Sequence, residues 1–123
     1  MLLGKWGENI AAEYLSGKGY TILERNLRTS HGEIDLLASE LGVLVFVEVK
    51  TRSSKSYGYP EDSITGSKRT HLLASAQAYL QSRPDLEGDW RIDVVAIEGK
   101  RTQADPIITH FENVITADGL DGL

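Results

Sequence analysis

The sequence predicts an α/β domain, a mixed central sheet flanked by helices, with elements in the order α-β-β-β-α-β-β. Three observations predict it. The run "VLVFVEVK" (residues 43–50) is apolar on both strand faces, as a central strand covered on both sides must be. Two stretches with helical spacing, Leu3–Lys18 and residues 67–83, are separated by three consecutive strand-like stretches. A further pair of strand-like stretches follows the second helix, an order that implies a mixed sheet.

The first helix stops where Gly17 and Gly19 bracket Lys18. "YTILERNLR" reads as a strand, and a turn follows at Ser30-His31-Gly32. A strand runs from Glu33 to about Ser39, a turn lies near Glu40-Leu41-Gly42, and the central strand runs from Val43 to Arg52. "SSKSYGYPEDSITG" is polar, with two glycines and a proline, and reads as a loop. The second helix, "SKRTHLLASAQAYLQSR", takes Ser67 as N-cap and Leu72, Leu73, Ala76, Tyr79 and Leu80 as its apolar stripe. "WRIDVVAIE" is a strand, and "PIITHFENVI" a weaker one. Residues 1–115 make one domain, and 116–123 read as a frayed tail.

A chain of 123 residues fits a single domain, and the absence of cysteine excludes a disulfide framework and any cysteine zinc site. Neither a signal-peptide layout nor a membrane-spanning run is present, so the expected protein is soluble and cytoplasmic. The net charge of −5 argues weakly against nucleic acid, but its distribution is uneven. Arg25–Arg69 holds seven Lys/Arg and six Asp/Glu, whereas the rest holds six and twelve.

The central strand poses the chemical question. Val43, Val45, Val47 and Val49 share one face, and Leu44, Phe46, Glu48 and Lys50 the other. Charges at the end of so apolar a strand are expensive unless paired or bound to a metal. If Glu40 faces Val43, then Leu37 faces Phe46, Asp35 faces Glu48, and Glu33 faces Lys50. Two carboxylates about 4 Å apart repel by roughly 4 kcal/mol at an effective dielectric near 20. A cation between them, or a proton on one, removes the conflict. An all-oxygen set suits a hard cation, Mg2+ or Mn2+. Glu8 precedes Ala11, Ala12 and Leu15 at helical spacing, so it lies on the inward stripe and can point at the same place. The bland alternatives are a cross-strand salt bridge for Asp35, Glu48 and Lys50, and a helix-dipole role for Glu8.

These residues carry a resemblance. "D35…E48-V49-K50" resembles the D…(D/E)xK signature of the PD-(D/E)xK nuclease superfamily. The spaced motifs "GENIAAEYL", "ILERNLR", "GEIDLLA", "VFVEVKTR" and "RIDVVAI" resemble the YraN-like family of bacterial proteins, related to archaeal Holliday junction resolvases. The proline of the superfamily's name is absent; Ile34 precedes Asp35. The resemblance implies a restriction-endonuclease-like αβββαβ core. It implies Asp35, Glu48 and the Val49 carbonyl as metal ligands, Lys50 as the residue that orients water and stabilises phosphate charge, and Glu8 as an assisting carboxylate. The implied chemistry is metal-dependent endonuclease action on DNA phosphodiester bonds, with branched or damaged DNA as candidate substrates.

Arg28, Arg52, Lys55 and Lys68 are the candidate phosphate-binding rim, with Arg69 a further possibility. Tyr57 and Tyr59 either stack on bases or anchor the loop. Glu33 either belongs to the site or pairs with Lys50 or Arg52 and is purely structural; His31 reads as incidental, His71 and His110 lack ligand spacing, and Asp93 beside Arg91 reads as structural. No recognition-helix motif suggests sequence-specific readout. Junction resolution would call for a two-fold homodimer. Two other classes stay open: a nucleic-acid-binding module that does not cut alone or needs a protein partner, and an acidic adaptor.

Overall fold

A computed structural model describes residues 3–52, 66–99 and 105–115. Helix α1 (Leu3–Gly17) leads into β1 (Thr21–Thr29), β2 (Gly32–Glu40) and β3 (Val43–Arg52). Helix α2 (Gly66–Ser82), β4 (Trp90–Glu98) and β5 (Ile107–Ile115) follow. The order matches the expected one and is compatible with a restriction-endonuclease-like core. α2 begins at Gly66, one residue before the expected Ser67. The polar loop and the frayed-tail expectation fall outside the described residues.

The five strands form one sheet in sequential order. β3 and β4 run parallel, joined through α2, and the other neighbours are antiparallel. The sheet is therefore mixed, with β3 in the middle. Alternation along β3 sends Val45 and Val47 into one core and Phe46 into the other. The first core is closed by Ala11, Ala12 and Leu15 of α1, and the second by Leu72, Ala76 and Tyr79 of α2. Phe46 meets Tyr79 and Trp90 edge-on, each with ring centroids 6.0 Å apart.

The β2–β3 hairpin closes as the alternation requires, with Glu40 opposite Val43 and Leu37 opposite Phe46. Its turn is Leu41-Gly42, both at positive φ (50° and 82°), which fits the right-handed twist of the flanking strands. The ladder then stops at Leu36–Val47. Asp35 and Glu33 have no ladder partner on β3, contrary to the simple extrapolation of the register. β2 stays paired with β1 through Arg28–Glu33 while parting from β3, so the two central strands fork.

α1 lies close against β3 at one point. A Cβ on Gly7 would overlap Thr51 Oγ1, whereas a Cβ on Gly4 would meet nothing within 4 Å. Alanine in a helix gains about 1 kcal/mol over glycine. Gly4→Ala is therefore expected to leave stability unchanged or slightly raised. Gly7→Ala is expected to lose about 1–3 kcal/mol, because the helix must lift off β3. Urea denaturation of the two variants side by side checks this; equal midpoints would refute the close approach.

Candidate active site

The fork between β2 and β3 is where the acidic residues gather. With no backbone partner across the fork, the Val49 N–H donates to Asp35 Oδ2 at 2.8 Å. A side chain thus takes the place of a ladder carbonyl and holds Asp35 beside the end of β3. Glu48, the preceding residue, is 5 % exposed. Its Oε1 lies 3.1 Å from Lys68 Nζ and 3.9 Å from Lys50 Nζ. A buried carboxylate needs such partners, since an isolated charge there would be costly.

Burial, and then the Glu48 charge, push the Asp35 carboxyl up to about 7, with Glu8 adding to the rise. The Val49 N–H and Lys68 act in the opposite direction but do not outweigh them. Near neutrality the Asp35 carboxyl thus resists ionising.

Glu8 stands on the buried face of α1, as its spacing predicts, and its charge is felt at Asp35. Its nearest partners are Lys5 Nζ at 3.6 Å and the Asn26 amide. In the orientation that satisfies both ends of that amide, its nitrogen donates to Glu8 Oε1 and Glu33 Oε1, each at 3.1 Å, and its oxygen accepts from Lys5 Nζ at 2.8 Å. Glu33 is held by Asn26 and by Arg28 at 3.8 Å, and not by Lys50. The fork explains this correction: β2 has turned away before Glu33 could face Lys50.

Among the described residues, no group of three or more His, Asp or Glu side chains is arranged to hold a metal ion. Asp35 feels the charges of both Glu48 and Glu8, while Glu8 itself is held by Lys5 and Asn26. The donor chemistry still fits a hard divalent ion: carboxylate oxygens at a buried point, with Lys50 and Lys68 set against Glu48 alone.

The rim residues divide. Lys68 turns inward to Glu48, a role the sequence does not reveal because the pairing depends on how α2 returns to the sheet. Arg52 ends β3, and its carbonyl accepts from the Gly99 N–H at 2.9 Å. Arg28 lies on edge strand β1, its side chain 87 % exposed, away from Glu48. Arg69 points toward β5, donating to the Val114 carbonyl at 3.4 Å, so it does not belong to the rim. Lys55, Tyr57 and Tyr59 lie outside the described residues. His31 and His71, given no part by their sequence positions, line one cavity with Lys68.

Residues 7–97 match the family described as Uncharacterised protein family UPF0102. The chain belongs to the UPF0102 family. A UPF0102 protein of Syntrophotalea carbinolica is 42% identical over 117 residues, covering 95% of this chain and 94% of its own. One from Roseiflexus castenholzii is 49% identical over 104 residues, covering 82% and 83%. The UPF0102 match takes in Glu8, Asp35, Glu48, Lys50 and Lys68, and ends before β5. A solved structure of Pyrococcus furiosus SfsA in complex with Ca2+ aligns with 89% of this chain and 62% of its own, at 17% identity and a TM-score of 0.39. That likeness is too low to carry an argument. Among the described residues no helix is long and apolar enough to cross a membrane.

Proposed function

We propose that this UPF0102 protein is a metal-dependent endonuclease that hydrolyses DNA phosphodiester bonds, as members of the PD-(D/E)xK superfamily do. Branched or damaged DNA is the candidate substrate. One observation carries the reading: the fork of β2 and β3 brings Asp35 to the Val49 amide, next to the buried Glu48 and with Lys50 beside it. Carboxylates crowded so that one resists ionising are an expensive arrangement, and such perturbed groups cluster at functional sites.

In this reading Asp35, Glu48 and the Val49 carbonyl hold Mg2+ or Mn2+. When bound, the ion neutralises phosphate charge and lowers the pKa of a coordinated water. Lys50 orients the attacking water and stabilises charge developing on the phosphate. Lys68, beside Glu48, would add a second cation for the phosphate. Glu8 supports the site from α1, and Arg52 and Lys55 extend the rim. A two-fold dimer would supply the paired cuts that a junction requires.

The second reading, a nucleic-acid-binding module that does not cut alone, has its own support. Glu48 is already paired with two lysines, and among the described residues no three-carboxylate cluster is assembled. Labelled four-way junction, linear duplex and single-stranded DNA, each with EDTA, Mg2+ or Mn2+, separate the two. Cleavage that needs metal and disappears in Asp35→Ala is the expected result. Salt-sensitive binding without cleavage under any condition would favour the module. Neither binding nor cleavage would remove nucleic acid from consideration.

A further inference from the structure

Among the described residues the sheet ends in β1 on one side and β5 on the other. The two edges are built differently. β1 breaks register between Ile22 and Glu24, turns to positive φ (52°) at Asn26, and carries Glu24, Arg25 and Arg28. Bulges and charges of this kind keep a sheet edge from pairing with another chain. The first half of β5 has neither. From Ile107 to Phe111 it follows β4 without a break, opposite Glu98 through Val94. The stretch reads Ile-Ile-Thr-His-Phe, with no Asp, Glu, Lys or Arg. Pro106 stands just before it, and the register shift with Asn113 at φ 55° comes just after it. A regular, uncharged window is therefore open at this edge and bounded at both ends.

Alternation divides its side chains between the two faces. Ile108 packs on the first core, and the His110 ring meets Tyr14 of α1 edge-on and is 2 % exposed. Ile107, Thr109 and Phe111 point to the other face. Among the described residues neither Ile107 nor Phe111 belongs to either core, and Ile107 is 50 % exposed. An apolar pair outside both cores, on an unguarded edge, is a surface that a further strand would cover.

The window is complementary to itself in one register. Across a two-fold axis at Thr109, Ile107 of each copy falls opposite Phe111 of the other, Ile108 opposite His110, and Thr109 opposite itself. Aromatic and β-branched side chains make favourable cross-strand pairs, and no like charges meet. Just outside the window, Glu112 falls opposite Pro106 and Asp105 opposite Asn113. Moving the axis by one residue sets Ile108 against Glu112, or Phe111 against Asp105. We infer that β5 pairs antiparallel with β5 of a second copy through Ile107–Phe111, joining the two sheets across a two-fold axis. Because β1 is guarded, the pairing closes as a dimer and does not run on into a fibre. β3 is two strands in from this edge, so both Asp35–Glu48 centres stay uncovered. The interface does not rest on the proposed function, although it supplies the two-fold pair invoked there.

Thr109 is the position that meets itself, and its side chain is exposed, so a charge placed there leaves the monomer's fold intact. Full-length wild type, Thr109→Lys, Thr109→Glu and an equimolar mixture of the two variants are compared by sedimentation equilibrium over a range of concentrations, with circular dichroism as the check of fold. Wild type is expected to pass from the 13.5 kDa monomer to twice that mass as concentration rises. The dimer is weak, because so short a pairing buries little surface. Each variant alone should dimerise at least about 10-fold more weakly, since like charges then lie directly opposite. The mixture should recover the wild-type affinity or exceed it, because lysine then faces glutamate. Amide hydrogen exchange over residues 107–111 should slow as wild-type concentration rises, and not in Thr109→Lys. A wild type that stays monomeric throughout would overturn the inference. A dimer that neither variant weakens would also overturn it, by moving the interface elsewhere. Weakened variants whose mixture does not recover would refute the register at Thr109.

Discussion

Replacing Asp35 with Asn is expected to stabilise the metal-free protein at pH 8 while removing metal-dependent cleavage. Burial and the neighbouring Glu48 raise the Asp35 carboxyl from 3.8 to about 7. Below about pH 4 both the folded and the unfolded chain hold this proton, and Asp35 adds no pH dependence. Between about 4 and 7 the unfolded chain releases it while the folded chain keeps it, so stability falls as pH rises. Above 7 the folded protein carries the full cost of an ionised Asp35. Asn removes that cost, and its carbonyl oxygen can still accept from the Val49 N–H. With allowance for solvent and for sharing of charge with Glu48, a gain of about 2 kcal/mol is expected at pH 8, shrinking toward zero near pH 4. Urea denaturation at the two pH values measures it. Cleavage should fall by at least about 100-fold, the scale of losing one electrostatic stabiliser of the transition state. A variant that is less stable at pH 8 would mean that Asp35 is an ordinary salt-bridged acid.

Asp93→Ala is expected to cost about 3–5 kcal/mol, the scale of breaking a buried ion pair from one side. Asp93 is fully buried where the β4–β5 register shifts. Its Oδ1 accepts from Arg91 Nε at 3.0 Å and from the Asn113 N–H at 2.9 Å, and its Oδ2 lies 2.7 Å from His110 Nε2. Asn113 sits at φ 55°, a bulge whose amide Asp93 satisfies. Lys18 Nζ, 2.8 Å from His110 Nδ1, can only donate, so that nitrogen accepts and Nε2 carries the proton to Asp93. Burial pushes the Asp93 carboxyl up, but the His110, Arg91 and Asn113 hydrogen bonds outweigh it and hold it below the ordinary carboxylate range. Asp93 therefore contributes stability above about pH 4 that is lost as pH falls further. The acid limb of the wild-type stability curve should flatten in Asp93→Ala, and hydrogen exchange should quicken first in β5. An unchanged acid limb would refute the network's role.

The two networks differ in kind. At Asp93 every charge finds its partner, and the gain is in docking an edge strand and the end of α1. At Asp35 the folded chain keeps a conflict that no group among the described residues fully relieves. Proteins keep such conflicts where another component is meant to resolve them.

Local pattern was enough for much of this molecule. Alternation through "VLVFVEVK" put β3 at the centre, because a strand apolar on both faces has to be covered on both. The same alternation set the hairpin register from Glu40–Val43 to Leu37–Phe46. The spacing of Glu8, Ala11, Ala12 and Leu15 put Glu8 on the buried side of α1. These features depend on periods of 2 and 3.6 residues, and a period is visible in a string of letters.

Meetings between distant elements were a different matter. Nothing in the letters around Asp35 shows that the ladder ends at Leu36, and that ending sends Asp35 to an amide and Glu33 to Asn26. The Lys68–Glu48 pair forms only when the α2 crossover lays a helix start beside the end of β3. His31 and His71 are 40 positions apart and share a cavity because the β1–β2 turn reaches α2. Sequence patterning settled which side chains face inward, since that depends on neighbours along one chain segment. The folded structure alone decided which charges meet, since that depends on where strands part and where helices return.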